Sequence, residues 1–223
     1  MKYLTRLGLL GIAVAAVVAF GGVGTASATE LCTVGIEPCP GETLESAGTA
    51  LEATTTLLTI TAGASGNITC THSLIKGKTT DAGGKGKDVE ATIESFTASG
   101  KGPGGECTND LAFGGTASCT VSPVNLPWKA PLSKSALPDG TMTWSSSGKG
   151  DPGFTVKCAT QMMECIFSAT KHVLDFKGGK PALLKAVDEP LVAAQEGFSF
   201  CPSKGTWDAT YTVLKPTQGY LVN

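Results

Sequence analysis

Residues 206–213 read Thr-Trp-Asp-Ala-Thr-Tyr-Thr-Val, placing Trp207, Ala209, Tyr211 and Val213 at every second position with polar residues between them. A helix would bring residues three and four apart to one face, whereas strict alternation with β-branched and aromatic residues is the pattern of a half-buried strand. The same period recurs outward along the chain. Residues 51–60 read LEATTTLLTI, and 89–97 read VEATIESFT with Val89, Ala91 and Ile93 on one side. Ala117, Cys119 and Val121 alternate, as do Met142 and Trp144, and again Phe154, Val156 and Cys158. Between these runs lie the breakers AGGKGK (82–87), SGKGPGG (99–105), SSSGKGDPG (145–153) and KGGKP (177–181). Short alternating strands separated by glycine-rich turns predict an all-β, antiparallel β-sandwich, either one large sandwich or two small ones. If a helix forms anywhere, it is at 181–196; Pro190 interrupts it, and Ala182, Leu184 and Ala186 also alternate as in a strand.

The start of the chain carries a different message. Lys2 and Arg6 precede an apolar run from Leu7 to Phe20, and a small-residue stretch ends in Ala26-Ser27-Ala28. That order of charge, apolar run and A-x-A is a secretory signal peptide over 1–28, leaving 29–223 as a secreted β-rich domain with a subdivision near 123–138. All eight cysteines (Cys32, Cys39, Cys70, Cys107, Cys119, Cys158, Cys165 and Cys201) lie beyond it. An even count in an exported chain predicts disulfides rather than a metal or redox site. Preferring short loops pairs Cys32 with Cys39, Cys107 with Cys119 and Cys158 with Cys165, and leaves Cys70 with Cys201 by elimination. The spacing C-x6-C occurs twice, at Cys32/Cys39 and Cys158/Cys165. It reads as a duplication, or more simply as two short loops closed in the same way.

Composition narrows the partners. Arg6 is the only arginine, so the exported chain has none. Losing Lys2 and Arg6 with no acid takes the formal charge from −2 to −4. Arginine is the usual reader of phosphates and base edges, so nucleic acid is not an expected partner. No second apolar run approaches the ~20 residues of a membrane-spanning helix, and no membrane anchor is expected. A location outside the cell or in the wall space follows.

Four stretches, LCTVGIEPCP (31–40), GNITCTHSLIKGK (66–78), LPWKAPL (126–132) and FCPSKGTWDATYTV (200–213), resemble a group of secreted, cysteine-rich β-proteins of high-GC Gram-positive bacteria. The shared residues are structural. The resemblance implies a β-rich extracellular domain and supplies no catalytic residues.

Few residues suit chemistry. His72 and His172 are the only histidines, and histidine is the commonest general base at neutral pH. His172 with Asp175 or Asp208 and a serine would make a hydrolase triad, but no serine sits in a G-x-S-x-G elbow; Gly63-Ala64-Ser65-Gly66 is one residue short. No metal-ligand spacing occurs and no cofactor motif is complete. Glu90 and Glu94 share one side of a strand, which reads as a solvated face. The aromatics offer the best binding candidates: Trp128 and Trp144 read equally as core residues or as flat platforms for a glycan or protein partner, with Trp207 and Tyr211 assigned to the core. The expected role is a non-catalytic extracellular domain that binds or builds. The alternatives are a hydrolase using His172 and a protease inhibitor presenting the loop 158–165, where Met162 and Met163 form an apolar tip.

Overall fold

The computed structural model describes residues 29–63, 66–84, 87–110, 117–158, 163–193 and 201–222. The predicted signal, Ser65 and Met162 lie outside the described residues. The chain is all-β, antiparallel and braced by four disulfides. The register shows how its strands combine. After β1 (Thr29–Cys32), β2 (Ala50–Thr55) and β3 (Leu58–Thr61) run against β5 (His72–Asp81) and β4 (Asn67–Cys70). Thr55 lies opposite Ser73 and Leu58 opposite Cys70, so the pairing keeps one register across the break at 56–57. These four strands are therefore two long staves, each interrupted once.

The same holds around the molecule. Beyond the short β6 (Gly83–Gly84), a third stave is β7 (Glu90–Ser99) with β8 (Cys107–Asn109). The fourth is β9 (Ala117–Val124) with β10 (Trp128–Lys129). Following β11 (Leu132–Ala136), the fifth is β12 (Asp139–Ser146) with β13 (Gly153–Cys158). The sixth is β14 (Met163–Ser168) with β15 (Lys171–Lys177). The last two are unbroken segments, β16 (Leu183–Ala193) and β17 (Lys204–Lys215).

Each stave pairs with the next, and β17 closes the circle. One edge of β17 pairs with β16 and the other with β2 and β3, matching Thr212 to Thr54 and Trp207 to Ile60. The two walls expected of a sandwich are thus continuous, as an eight-stave up-and-down barrel. Closure removes the unpaired outer edges that an open sheet must otherwise protect. Within the 181–196 segment, Leu183–Ala193 is strand, with its bulge between Ala186 and Glu189, and 194–196 lie outside the described residues.

Two glycines fit where strands approach closely. A Cβ on Gly77 would stand 2.0 Å from Thr92 O, at the bulge between Lys76 and Gly77. A Cβ on Gly153 would stand 2.0 Å from Phe167 O, on the neighbouring stave.

Alternation sends one side chain in two to the barrel interior, and one continuous apolar core results. It draws on residues from both sides of 123–138. Its middle is aromatic. Trp144 and Trp207 stack with centroids 5.4 Å apart, Trp128 lies 5.1 Å from Trp144, and Phe154 meets Trp207 edge-on at 5.5 Å. Such pairs add about 0.5–1.5 kcal/mol each beyond burial. At the end that carries Asp81 and residues 178–182, β1 pairs with β18 (Tyr220–Val222) and with β6, and this small sheet covers the barrel mouth. Leu31 and Leu221, both buried, project from the cover. The cavity beneath, lined by Leu31, Ile75, Met142 and Phe176 among others, measures about 20 Å³, room for about one water.

Three disulfides brace the opposite end, and they correct the pairing expected from loop length. Cys70, Cys107, Cys119 and Cys158 stand on four neighbouring strands, and register sets Cys107 opposite Cys119 and Cys119 opposite Cys158. The bonds are Cys70–Cys107 and Cys119–Cys158. In an antiparallel sheet a residue points both its N–H and C=O at one neighbour. It therefore faces that neighbour across about 5.5 Å and the other across about 4.5 Å between Cα atoms. The bonded pairs have Cα separations of 4.5 and 4.1 Å, the close type. Cys107 and Cys119 are left as the wide pair between them. Cys158 and Cys165 are also unpaired with each other, because β13 and β14 set Met163 opposite Cys158 and Val156 opposite Cys165. Cys165 instead bonds Cys201, so Cys70–Cys201 does not form. Of the expected bonds only Cys32–Cys39 is present, and no described cysteine is free.

Candidate functional site

His172 lies in the aromatic middle of the barrel. Register places it opposite Trp144, and its ring meets Trp144 and Trp207 edge-on at 6.4 and 6.0 Å. It is fully buried. Nε2 stands 3.3 Å from Pro152 O. A carbonyl only accepts, so Nε2 carries the hydrogen of the neutral ring. Nδ1 then presents a lone pair, has no hydrogen bond, and lies 3.7 Å from Glu189 Oε2. Loss of water around the ring lowers its pKa to about 4, although the bond to Pro152 works the other way. Glu189 is pushed up by burial, against the N–H of Val173, which donates to its Oε2 at 3.0 Å.

Local sequence explains how Glu189 reaches this position. Asp188 has φ of 50° within the β16 bulge, and its N–H donates to Asp208 Oδ1 at 2.8 Å. The bulge shifts the strand by a residue and directs Glu189 to the adjacent β15. A carboxylate partner for His172 was expected in Asp175 or Asp208. Asp208 instead holds the bulge, and Asp175 lies opposite Thr141 and Lys185. Glu189 was missed by sequence reasoning. The usable signal was Asp188-Glu189-Pro190, two charges and a proline inside a strand, which marks a bulge.

This arrangement has a base and a carboxylate. No hydroxyl or thiol among the described residues hydrogen-bonds either ring nitrogen of His172. A triad needs such a partner in reach.

The remaining candidates scatter. Trp128 and Trp144 are fully buried and present no face to solvent. Trp128 Nε1 donates to Val124 O at 2.8 Å, and Trp144 Nε1 to Met142 Sδ at 3.3 Å. As platforms for a glycan or protein they are therefore corrected to core residues. Trp207 and Tyr211 are core as expected, and the Tyr211 hydroxyl lies 3.1 Å from Ser73 Oγ. Burial raises the Tyr211 phenol above its ordinary range. His72 is exposed on β5, opposite Ser99. Glu94 pairs with Lys78 at 2.8 Å on the solvated face that it shares with exposed Glu90. The hairpin tip 158–165 is not tied by its own cysteines, and 159–162 lie outside the described residues.

Glu30, Cys32 and Cys39 are the one group among the described residues with metal-ligand proximity, but the two sulfurs are joined to each other. On the outer wall, a shallow groove over the β16 bulge is lined by Thr56, Leu57, Val187, Asp208 and Thr210. Leu57 and Val187 are 55% and 63% exposed at its sides.

No protein family, curated protein or solved structure matches the chain. Four disulfides fit an oxidising environment, and no helix among the described residues is long and apolar enough to cross a membrane. Strands need a separate argument. A membrane barrel carries its apolar side chains outside and its polar ones inside. Here β17 does the reverse, with Trp207 and Tyr211 inside and Thr206, Asp208, Thr210 and Thr212 outside.

Proposed function

We propose that this chain is a secreted, non-catalytic extracellular domain with a binding or structural role. The observation that carries the reading is the filled barrel. Eight-stave barrels either hold one small ligand or fill the interior with side chains. Here Trp128, Trp144, Trp207, Tyr211, Phe154 and Phe167 occupy it, and the cavity beneath Leu31 is about 20 Å³. A ligand of ordinary size therefore meets the outer wall and loops, and its partner is a glycan or a protein. The signal-like stretch 1–28 and the disulfides support export.

The test takes protein purified from culture medium through ester, peptide and glycan substrates, followed by a glycan array and a protease-inhibition panel. No turnover is expected. A reproducible turnover that vanishes in a folded His172→Ala protein overturns the reading and restores the hydrolase. Inhibition of a protease by the intact chain supports the inhibitor instead.

A further inference from the structure

Two disulfides side by side in one register leave a third bond latent between them. Cys70, Cys107, Cys119 and Cys158 form a row across β4, β8, β9 and β13, all buried in the same core layer. The inner two, Cys107 and Cys119, stand directly opposite in register. Their pair is the wide type, about 5.5 Å between Cα atoms, which lies within the range that a disulfide spans. We infer that this row is a redox-sensitive relay with two pairing states, in which reduction of either outer disulfide produces an inner Cys107–Cys119 bond and free thiols at Cys70 and Cys158.

The chemistry balances with an external dithiol as reductant. The dithiol gives two electrons and two protons to the Cys70–Cys107 bond and becomes a cyclic disulfide. The freed Cys107 loses its proton and, as thiolate, attacks Cys119 Sγ. The Cys119–Cys158 bond breaks, and Cys158 leaves as the thiolate that takes up that proton. One disulfide and two thiols remain, as after the first step, but the thiols have moved to the ends of the row. Starting from the Cys119–Cys158 bond gives the same product, with Cys119 attacking Cys107 and Cys70 leaving. The backbone pairing need not change, because all four residues keep their places in the barrel wall. Cys165 and Cys201 take no part: Cys165 lies opposite Val156, outside the row.

The experiment uses the oxidised chain with dithiothreitol raised stepwise until a cysteine of the row is first modified. Samples are quenched with acid, tagged with N-ethylmaleimide in denaturant and mapped by mass spectrometry without reduction. The expected product carries tags on Cys70 and Cys158 with Cys107 joined to Cys119. Tags confined to Cys70 with Cys107, or to Cys119 with Cys158, overturn the relay. A Cys70→Ser/Cys158→Ser protein gives a second reading. Folded and oxidised, it should have no free thiol, and two free thiols at Cys107 and Cys119 would overturn the inference. If that variant does not fold, the wild-type titration alone decides.

Discussion

The two ends of this barrel are closed by different means. At one end three disulfides tie neighbouring staves and a loop together: Cys70–Cys107, Cys119–Cys158 and Cys165–Cys201, with sequence separations of 37, 39 and 36. At the other the cover is mostly non-covalent, a sheet of β18, β1 and β6 with Leu31 and Leu221 packed beneath it. Its one disulfide, Cys32–Cys39, closes a separation of 7. Where long connections return to the barrel, covalent bonds remove much entropy from the unfolded chain. A strand that packs into the barrel mouth gains its stability from apolar burial instead. Between the ends the aromatic middle belongs to both.

That middle should carry the largest single effect. Trp207→Ala removes a fully buried side chain that stacks on Trp144 and meets Phe154, and is expected to cost about 3–5 kcal/mol in denaturant unfolding. A cost below about 1 kcal/mol would mean that the barrel is not packed as described.

Trp207 also shows what the sequence made legible. The alternation of 206–213 fixed both the strand and its inward face, and LEATTTLLTI marked the first stave, though not its break at 56–57. Closure was not legible, because it depends on β17 meeting β2 and β3, strands roughly 150 residues earlier. The disulfides failed for a related reason. Short loops are cheapest to close, but register decides which sulfurs meet. The two C-x6-C pairs make this plain: Cys32 and Cys39 are bonded, whereas Cys158 and Cys165, at the same spacing, are held apart by the β13–β14 register. Trp128 and Trp144 were open between core and platform because Trp128 stands in no alternating run and Trp144 alternates only with Met142, too short a pattern to choose a face.

The ends can then be compared directly. Replacing Cys119 and Cys158 together by alanine, a separation of 39, should cost about 4 kcal/mol in the chain-entropy model. The corresponding change at Cys32 and Cys39, a separation of 7, should cost only about 2.5 kcal/mol. Equal costs by urea unfolding would erase the distinction. Leu31→Ala, which empties the core side of the cover, should cost about 2–3 kcal/mol and leave the three disulfides of the other end unchanged by mapping.

The pH response sharpens the account of the middle. The His172 pKa is lowered to about 4, while the unfolded ring titrates near 6.5. Between those values the unfolded chain binds the extra proton. Stability from this group is therefore complete above pH 6.5, falls as pH drops toward 4, and levels off below. The full change is about 3 kcal/mol. Glu189, pushed up by burial, gives an opposite and partly offsetting slope at the acid end. His172→Gln should flatten the profile between pH 6.5 and 4.5 in denaturant titrations. An unchanged slope would place the ring in contact with water. The smallest effect is expected on the outer wall, where Lys78→Ala breaks an exposed pair with Glu94 and should change stability by less than about 1 kcal/mol.

Non-reducing peptide mapping of the fully oxidised chain tests the register, and with it the barrel, most directly. The predicted cross-links are Cys32–Cys39, Cys70–Cys107, Cys119–Cys158 and Cys165–Cys201. Cys158 joined to Cys165, or Cys70 to Cys201, in the untreated protein would contradict the stave order on which the account rests.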